Sequence, residues 1–255
     1  MLLTIDVGNT QTHIGLYRET ELLEHWRFAT RREATGDELA TMLVSLLALR
    51  DHKLSDIDGA IVSSVVPQLA HEYEGVSERY FGGTLMVVGP GVKTGIPIRT
   101  ENPHELGSDR LVNAVAAYDR VGGACVVVDF GTTINYDVVS KEGELLGAIF
   151  TPGIEISMTA LSQRAAKLPN VDIEPPRELI GRSTVASIQS GIVYGFAGQV
   201  DGIVGRLREE IGDELVAIAT GGLASSIAPF CDQIDETDDL LTLTGLRLIW
   251  ERNRP

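Results

Sequence analysis

The sequence predicts an α/β protein made of two similar halves. An apolar strand pattern that ends in Asp, one further residue, Gly, Asn or Thr, and then Thr occurs twice, as LLTIDVGNT at residues 2–10 and as VVVDFGTT at residues 126–133. Each copy is followed by further strand and helix patterns, which is typical of an internal duplication. The chain has 255 residues, enough for two domains of roughly 100 to 130 residues each. We therefore predict one domain at residues 1–118 and another at residues 119–255.

The first half is predicted to fold in the order β-β-β-α-β-α-β. Its first three strand patterns are short and are separated by polar turns, as in an antiparallel meander. Leucines at helical spacing then predict a helix, and Asp37 and Glu38 suit its N-terminus. The predicted strands cover residues 2–10, 12–19, 23–30, 59–67 and 84–90, and the predicted helices cover residues 37–50 and 68–80.

The second half is predicted to repeat this plan after a connecting helix. Its first strand leads into a hairpin, and a later strand runs into glycines. An acidic run at residues 232–239 is interpreted as a solvated loop. The predicted strands cover residues 124–133 and 215–222 with the hairpin at residues 134–150, and the predicted helices cover residues 108–120, 155–168, 183–211 and 241–253.

Composition and charge exclude several classes of protein. The formal net charge is −15, which opposes binding to nucleic acid because that affinity comes largely from lysine and arginine on phosphates. No segment approaches the ~18 apolar residues of a membrane span, and the N-terminus lacks the pattern of a secretory signal. Cys125 and Cys231 form neither a disulfide framework nor a metal cluster. We therefore expect a cytoplasmic protein that binds neither nucleic acid nor membranes.

The two matching strand ends are candidate phosphate sites. Glycine lets the backbone approach a ligand, while successive N–H groups and threonine hydroxyls accept phosphate oxygens. An aspartate beside a phosphate requires a cation between them, so the pattern predicts a metal-bridged polyphosphate. The alternative is a pair of tight turns that only end their strands. The interpretation assigns Asp6 and Asp129 to cations, and it assigns Gly8, Asn9, Thr10, Gly131 and Thr132 to phosphates.

Two further segments are candidates. Thr220, Gly221 and Gly222 follow an apolar strand, as would suit close passage of a nucleotide, although a simple turn explains them equally well. At the start of a predicted helix, Ser108 is a candidate N-cap and Asp109 is a favourable partner for the helix dipole. Together with Arg110, Asp109 also offers a base for a substrate hydroxyl beside a cation for a substrate carboxylate. The P-loop, dinucleotide-binding and α/β-hydrolase motifs are absent from the sequence.

Eight segments, taken in order, resemble the successive motifs of type III pantothenate kinases. They extend over nearly the whole chain, and their order makes the resemblance specific. The segments are DVGNT at residue 6, GVKTGIPI at 91, NPHELGSDRLVNAVAAY at 102, DFGTT at 129, GAIFTPGIEIS at 147, TVASIQSGIVYG at 184, ATGG at 219 and LTLTGLRLIWERN at 241.

This resemblance implies a fold and a reaction. The implied fold is that of acetate and sugar kinases, Hsp70 and actin, in which two ribonuclease-H-like domains flank an active-site cleft. The implied reaction is transfer of the ATP γ-phosphate to the primary hydroxyl of pantothenate, the first step of coenzyme A biosynthesis. The resemblance also implies Mg-ATP as the phosphate donor, a monovalent cation, potassium or ammonium, and a homodimer.

Site residues follow from the resemblance position by position. Asp109 is implied to be the base that takes the hydroxyl proton, and Asp129 the ligand of the monovalent cation. Asp6 is also a candidate Mg²⁺ ligand. The implied ATP-binding residues are Asp6, Val7, Gly8, Asn9, Thr10, Gln11, Thr12, His13, Gly131 and Thr132, and the implied pantothenate-binding residues are Thr100, Gly107, Ser108, Asp109, Arg110 and, reaching across the dimer, Thr184.

The chain departs from the usual family pattern at three positions. Thr100 stands where the family has tyrosine, Thr133 where it has alanine, and Asn135 where it has threonine. These departures favour an alternative, a homologue that binds ligand without turnover, whereas Asp109 and Asp129 favour the enzyme. A further alternative is an ATPase or sugar kinase of the same superfamily.

Overall fold

The computed structural model of the chain describes residues 1–81, 83–165 and 168–254. They form two units, each built around a five-stranded sheet. The first unit comprises Met1–Ile96, Asn102–Ala116 and Leu241–Pro255, and the second comprises Pro97–Glu101 and Ala117–Leu240. No helix in the described part of the chain has the length and apolar character of a membrane span.

The first unit contains a mixed five-stranded sheet. Its strands are β1 (Leu2–Val7), β2 (Gln11–Arg18), β3 (Glu21–Ala29), β4 (Gly59–Ser64) and β5 (Thr84–Val87), and the connecting helices are α1 (Gly36–Ala48) and α2 (Pro67–Tyr80). The strand order in the sheet is β3-β2-β1-β4-β5. The first three strands form the predicted antiparallel meander, and the last two join in parallel through helices. Thr35 and Glu38 form a capping box at the start of α1.

The sheet of the second unit repeats the plan of the first. The remaining elements of the chain are α3 (Ser108–Val121), β6 (Cys125–Phe130), β7 (Thr133–Val139), β8 (Leu145–Pro152), α4 (Ile154–Arg164), α5 (Thr184–Ile211), β9 (Val216–Thr220), α6 (Ala224–Ile227), β10 (Glu236–Thr237) and α7 (Leu241–Asn253). The strand order of this sheet is β10-β9-β6-β7-β8, so the predicted duplication is confirmed. Of these elements, α3 begins in the first unit and α7 lies wholly within it.

The strands β1 and β6 have the same burial pattern. In each six-residue strand every side chain is buried except the fifth, which is Asp6 in β1 and Asp129 in β6. Side chains alternate between the two faces of a strand, so each aspartate lies on the face opposite its apolar neighbours. Those neighbours, for example Ile5 and Val128, belong to the two hydrophobic cores. Each strand therefore uses core packing to fix an aspartate at its carboxyl end.

The helix α7 belongs to the first unit, whereas the predicted division at residue 118 placed it in the second domain. Its apolar side chains, such as Leu243 and Ile249, are fully buried, and α7 packs against β1, β2 and β4. An added Cβ on Gly245 would clash with the Val112 carbonyl oxygen and lie 2.8 Å from the Val112 Cγ1. The closing helix thus covers a sheet formed at the other end of the chain, a contact that local sequence patterns do not reveal.

Gly245→Ala is expected to lower the free energy of unfolding by about 1–3 kcal/mol, because the added methyl overpacks the contact between α7 and α3. Gly195→Ala, in α5 where nothing lies within 4 Å of the added Cβ, is the control. Alanine is the better helix former, so this variant should be unchanged or more stable by about 0.5–1 kcal/mol. Urea denaturation measures both, and equal stabilities would contradict the close packing of Gly245.

The acidic run at residues 232–239 is more structured than predicted. Asp235 accepts a hydrogen bond from the Ala217 backbone N–H at 2.7 Å and pairs with Arg208 at 2.7 Å. Arg120 pairs with Asp238 and, at 3.5 Å, with Glu236. These contacts hold the two-residue strand β10 beside β9. The run is otherwise a largely exposed loop, as predicted, but the prediction missed this strand. The helix predicted at 155–168 ends at Arg164, and residues 166–167 lie outside the described residues.

Candidate functional site

Four side chains form a row across the carboxyl end of β1. Asp6 pairs in register with His13 on β2 and with Ser63 on β4, and His13 pairs with Arg27 on β3. Residues paired in register point to the same face of a sheet, so all four face the same way. Ser63 is fully buried. Its place in this row was not predicted, because it depends on the parallel pairing of two strands far apart in sequence.

The turn after β1 is closed by a hydrogen bond from the Gly8 N–H to the Gln11 carbonyl oxygen at 3.0 Å. An added Cβ on Gly8 would lie 2.9 Å from that oxygen, so the turn requires glycine. Asn9 and Thr10 are exposed, whereas Val7 and Thr12 are buried with 0% and 2% of their surface exposed. Of the residues predicted to bind ATP here, Val7 and Thr12 can therefore offer a ligand only backbone atoms.

His13 is electrically neutral at physiological pH. Burial, the nearby Arg27 guanidinium and His25 lower the pKa of His13 to about 4. Its Nε2 lies 3.4 Å from His25 Nδ1. His13 therefore adds no positive charge at this end of the sheet.

The segment Gly107–Arg110 starts the helix α3. The Leu111 N–H donates to the Gly107 carbonyl oxygen at 3.3 Å, and the Ser108 Oγ lies 2.8 Å from the Ser63 Oγ. Ser108 is thus the first helical residue, and its hydroxyl faces Ser63 instead of capping the helix, contrary to the prediction. This contact joins the start of α3 to the strand beside Asp6.

Asp109 is partly exposed, and its Oδ1 accepts a hydrogen bond from the Arg110 backbone N–H at 2.8 Å. Burial raises the pKa of Asp109, although that N–H and the Arg110 charge act in the opposite direction. A carboxylate with a raised pKa is a stronger proton acceptor and stays ionised at neutral pH as long as its pKa remains below 7. This is the environment expected of a general base.

The carboxyl end of β6 repeats the arrangement of β1. Asp129 pairs in register with Asn135 on β7 and Thr220 on β9, and the Gly131 N–H donates to the Thr133 carbonyl oxygen at 3.1 Å. Gly221 has a φ of 96°, and an added Cβ there would clash with the Asp129 Oδ1. The glycine-rich segment after β9, which includes Gly221, therefore packs directly against the Asp129 carboxylate.

A further glycine supports this second loop. An added Cβ on Gly153, at the start of α4, would clash with the Thr132 carbonyl oxygen and lie 2.7 Å from that of Gly131. Gly153 lies in the family-like segment GAIFTPGIEIS at residue 147, but no role was predicted for it.

Two of the departures from the family pattern contact each other. The Thr133 hydroxyl donates to the Asn135 Oδ1 at 2.6 Å. The carboxamide oxygen of Asn135 is thus directed toward Thr133, which turns its NH₂ group the other way. The two side chains thus form one hydrogen-bonded unit, and Asn135 lies beside Asp129 in the sheet.

The remaining predicted pantothenate contacts, Thr100 and Thr184, lie in the second unit. The Thr100 Oγ1 is buried and has no hydrogen-bond partner among residues 1–81, 83–165 and 168–254. Thr184 is exposed at the start of α5, where the Ser183 side chain caps the helix by accepting from the Ala186 N–H at 3.2 Å. Thr184 borders a cavity of about 800 Å³ whose lining includes Leu161, Arg182 and Ile188.

The residues present suit Mg²⁺ that arrives with a nucleotide. The described residues contain no group of three or more His, Cys, Asp or Glu side chains arranged to hold a metal. Mg²⁺ in phosphate-transfer sites is commonly bound by one or two carboxylates, with water and substrate phosphates completing its shell. The partly exposed carboxylate of Asp6 can serve as such a single protein ligand.

Comparison with known proteins shows the family. A family model of type III pantothenate kinase matches residues 2–206. The type III pantothenate kinase of Streptomyces coelicolor is 48% identical over 99% of this chain and 98% of its own length, and that of Acidothermus cellulolyticus is 49% identical over 100% of both chains.

The solved structure of an inorganic polyphosphate/ATP-glucomannokinase from Arthrobacter matches with a TM-score of 0.52 and 16% identity over 99% of each chain. This likeness shows that the chain shares the fold of that sugar kinase, in agreement with the predicted α/β fold of two similar halves. Since the family model matches most of the sequence and the relatives match over nearly their whole length, the chain belongs to the type III pantothenate kinase family.

Proposed function

We propose that this kinase transfers the γ-phosphate of ATP to the primary hydroxyl of pantothenate, giving 4′-phosphopantothenate and ADP in the first step of coenzyme A biosynthesis. The observation that carries the proposal is the placement of Asp109 in the first turn of α3, where burial raises its pKa and the Arg110 N–H holds its carboxylate. The family match favours an enzyme over the alternative of a homologue that binds ligand without turnover.

In the proposed mechanism the Asp109 carboxylate accepts the proton of the pantothenate hydroxyl. The hydroxyl oxygen forms a bond to the γ-phosphorus as the bond from that phosphorus to the β-γ bridging oxygen breaks, and ADP departs. Arg110 is assigned to the pantothenate carboxylate, with Thr100, Gly107, Ser108 and, from the partner of a proposed homodimer, Thr184 as further contacts. Positioning supplies most of the catalysis, because phosphoryl transfer needs little covalent chemistry from the protein.

The phosphates of ATP are assigned to the loop of residues 6–13 and to Gly131 and Thr132. Bound Mg²⁺ would neutralise phosphate charge, with Asp6 as its protein ligand. The Thr100 hydroxyl is buried and has no hydrogen-bond partner among the residues that the structure describes. This supports a role in substrate binding, because a buried hydroxyl without a hydrogen bond is costly unless a ligand satisfies it. We further propose a cytoplasmic location, where Cys125 and Cys231, both free thiols, would stay reduced.

A coupled assay of ADP release with pantothenate, Mg-ATP and potassium tests the reaction. Turnover that requires pantothenate would support the proposal. Absence of turnover with every divalent and monovalent cation tried would favour the non-catalytic alternative, and turnover with hexoses instead of pantothenate would favour a sugar kinase.

The monovalent cation is proposed to bind at Asp129. We expect the turnover rate to rise with potassium or ammonium at constant ionic strength, and Asp129→Ala to abolish this response because the cation loses its charged ligand. Asp213→Ala, which removes an exposed aspartate from the turn before β9, is the matched control and should respond like the wild type. A normal potassium response in Asp129→Ala would refute the assignment.

A further inference from the structure

Thr30, the residue after β3, is bonded at three points to the turn and strand start that follow β1. Its Oγ1 donates to the Gly8 carbonyl oxygen at 2.8 Å and lies 2.9 Å from the Thr12 Oγ1. Its backbone N–H donates to the Thr10 carbonyl oxygen at 2.9 Å. No motif in the sequence pointed to this residue, and the proposed reaction assigns it no role.

The directions of these bonds follow from the single proton of a hydroxyl. Because the Thr30 hydroxyl gives its proton to the Gly8 carbonyl, it must accept in its contact with Thr12. The Thr12 hydroxyl is the donor there, and Thr12 is buried. Two hydrogen bonds in series therefore run from the buried Thr12 hydroxyl through the Thr30 hydroxyl to the Gly8 carbonyl.

These hydrogen bonds orient the backbone N–H of Asn9. In a planar trans peptide the N–H points away from the carbonyl of the same peptide unit. Since Thr30 holds the Gly8 carbonyl toward itself, the Asn9 N–H is turned to the opposite side. A phosphate oxygen in this loop would be bound by donors of that kind.

Arg32 orients the side chain of Asn9. Its Nη2 donates to the Asn9 Oδ1 at 3.0 Å, which directs the carboxamide oxygen to Arg32 and the NH₂ group away from it. The Arg32 charge also lies beside the loop in a protein whose net charge is −15. Thr30 and Arg32 thus fix the backbone and side-chain donors of Asn9 together.

We propose that Thr30 and Arg32 are positioning residues of the nucleotide site, which orient the Asn9 N–H and carboxamide toward the phosphates of ATP. The inference rests on the proposed function, because it takes residues 6–13 to be the phosphate loop. Neither residue needs to touch the substrate, since each acts through the turn that it holds.

The test compares Thr30→Val, which keeps the shape and loses the hydroxyl, with Thr30→Ser, which keeps the hydroxyl. Binding of the non-hydrolysable analogue β,γ-imido-ATP with Mg²⁺ is measured by calorimetry without pantothenate, and KM is measured for both substrates. We expect Thr30→Val to weaken analogue binding and raise KM for ATP by about tenfold, the effect of one lost hydrogen bond. KM for pantothenate should stay within about twofold, and Thr30→Ser should restore the affinity.

Thr41→Val is the matched control, because within the described part of the chain the Thr41 hydroxyl bonds only inside α1, to the Asp37 carbonyl at 2.8 Å. Arg32→Ala is the second variant and decides the question if Thr30→Val fails to fold, since Arg32 is exposed. It should weaken analogue binding, whereas Arg31→Ala should not.

Wild-type affinity in Thr30→Val and Arg32→Ala, with normal turnover of the wild type, would overturn this inference alone. Equal loss in Thr30→Val and Thr30→Ser would also overturn it, since the hydroxyl would then be irrelevant. A wild-type protein that binds no nucleotide would overturn both the inference and the proposed function.

Discussion

Asp109→Asn is expected to lower kcat by about 10²- to 10⁴-fold, the usual contribution of a general base. Asparagine keeps the size of the side chain and can still accept the Arg110 N–H hydrogen bond, but it cannot take the hydroxyl proton. Binding of β,γ-imido-ATP should be unchanged, because the substitution leaves the proposed nucleotide loop intact. Asp119→Asn, farther along α3, is the control. Near-normal kcat in Asp109→Asn would reject Asp109 as the base.

The pH dependence of the wild type follows from the same carboxylate. Burial raises the pKa of Asp109 above its ordinary value of 3.8, and the base works only when ionised. The rate should therefore fall as the pH falls through this raised pKa, and the remaining activity of Asp109→Asn should lack that acidic limb.

Stability should respond in the opposite sense. A carboxyl group whose pKa is higher in the folded state than in the unfolded state favours folding when protonated, and this contribution is lost as the pH rises through the folded pKa. Asp109→Asn should therefore be at least as stable as the wild type at neutral pH, and this difference should shrink in acid. Thermal unfolding across pH measures it.

Gly221→Ala is expected to lower the free energy of unfolding by about 2–4 kcal/mol and to reduce turnover sharply. The residue has a φ of 96°, which strains any side chain. The added Cβ would also clash with the Asp129 carboxylate and lie 2.7 Å from the Phe130 nitrogen. Relief of that clash must move Asp129, the proposed cation ligand, so the potassium response should weaken as well.

Gly122→Ala is the control that separates backbone strain at a positive φ from the steric clash of an added Cβ in Gly221→Ala. Gly122 also has a positive φ, of 63°, but nothing lies within 4 Å of its added Cβ. Gly122→Ala should lower the free energy of unfolding by only about 1 kcal/mol, the strain of the left-handed conformation. Urea denaturation and the coupled assay compare the two variants, and equal losses would show that the Asp129 contact is unimportant.

Much of the fold could be predicted from the sequence because its signals are local. The periodicity of apolar residues predicted the helices, and the two copies of the strand-end pattern predicted both sheets. The strand β10 could not be predicted in this way, since it has two residues and depends on Arg120 and Arg208, which are distant in sequence.

The candidate site could be predicted only at residues that belong to a recognisable motif. Asp6, Asp109 and Asp129 lie in such motifs, whereas Ser63 has a place beside Asp6 only because β4 pairs with β1 in one register. Likewise, the hydroxyl of Ser108 fits a helix cap by sequence, yet the nearby Ser63 hydroxyl provides another partner. Thr30 gives no local signal at all, since its role depends on the return of β3 to the turn after β1.

The hydrogen bond between Thr133 and Asn135 couples these two positions energetically. Thr133→Ala removes the donor to the Asn135 carboxamide, and Asn135→Ala removes the carboxamide acceptor of the Thr133 hydroxyl. Substitutions of two residues that share a hydrogen bond are generally not additive. The effects of these two substitutions on stability are therefore expected to be non-additive in a double-mutant cycle.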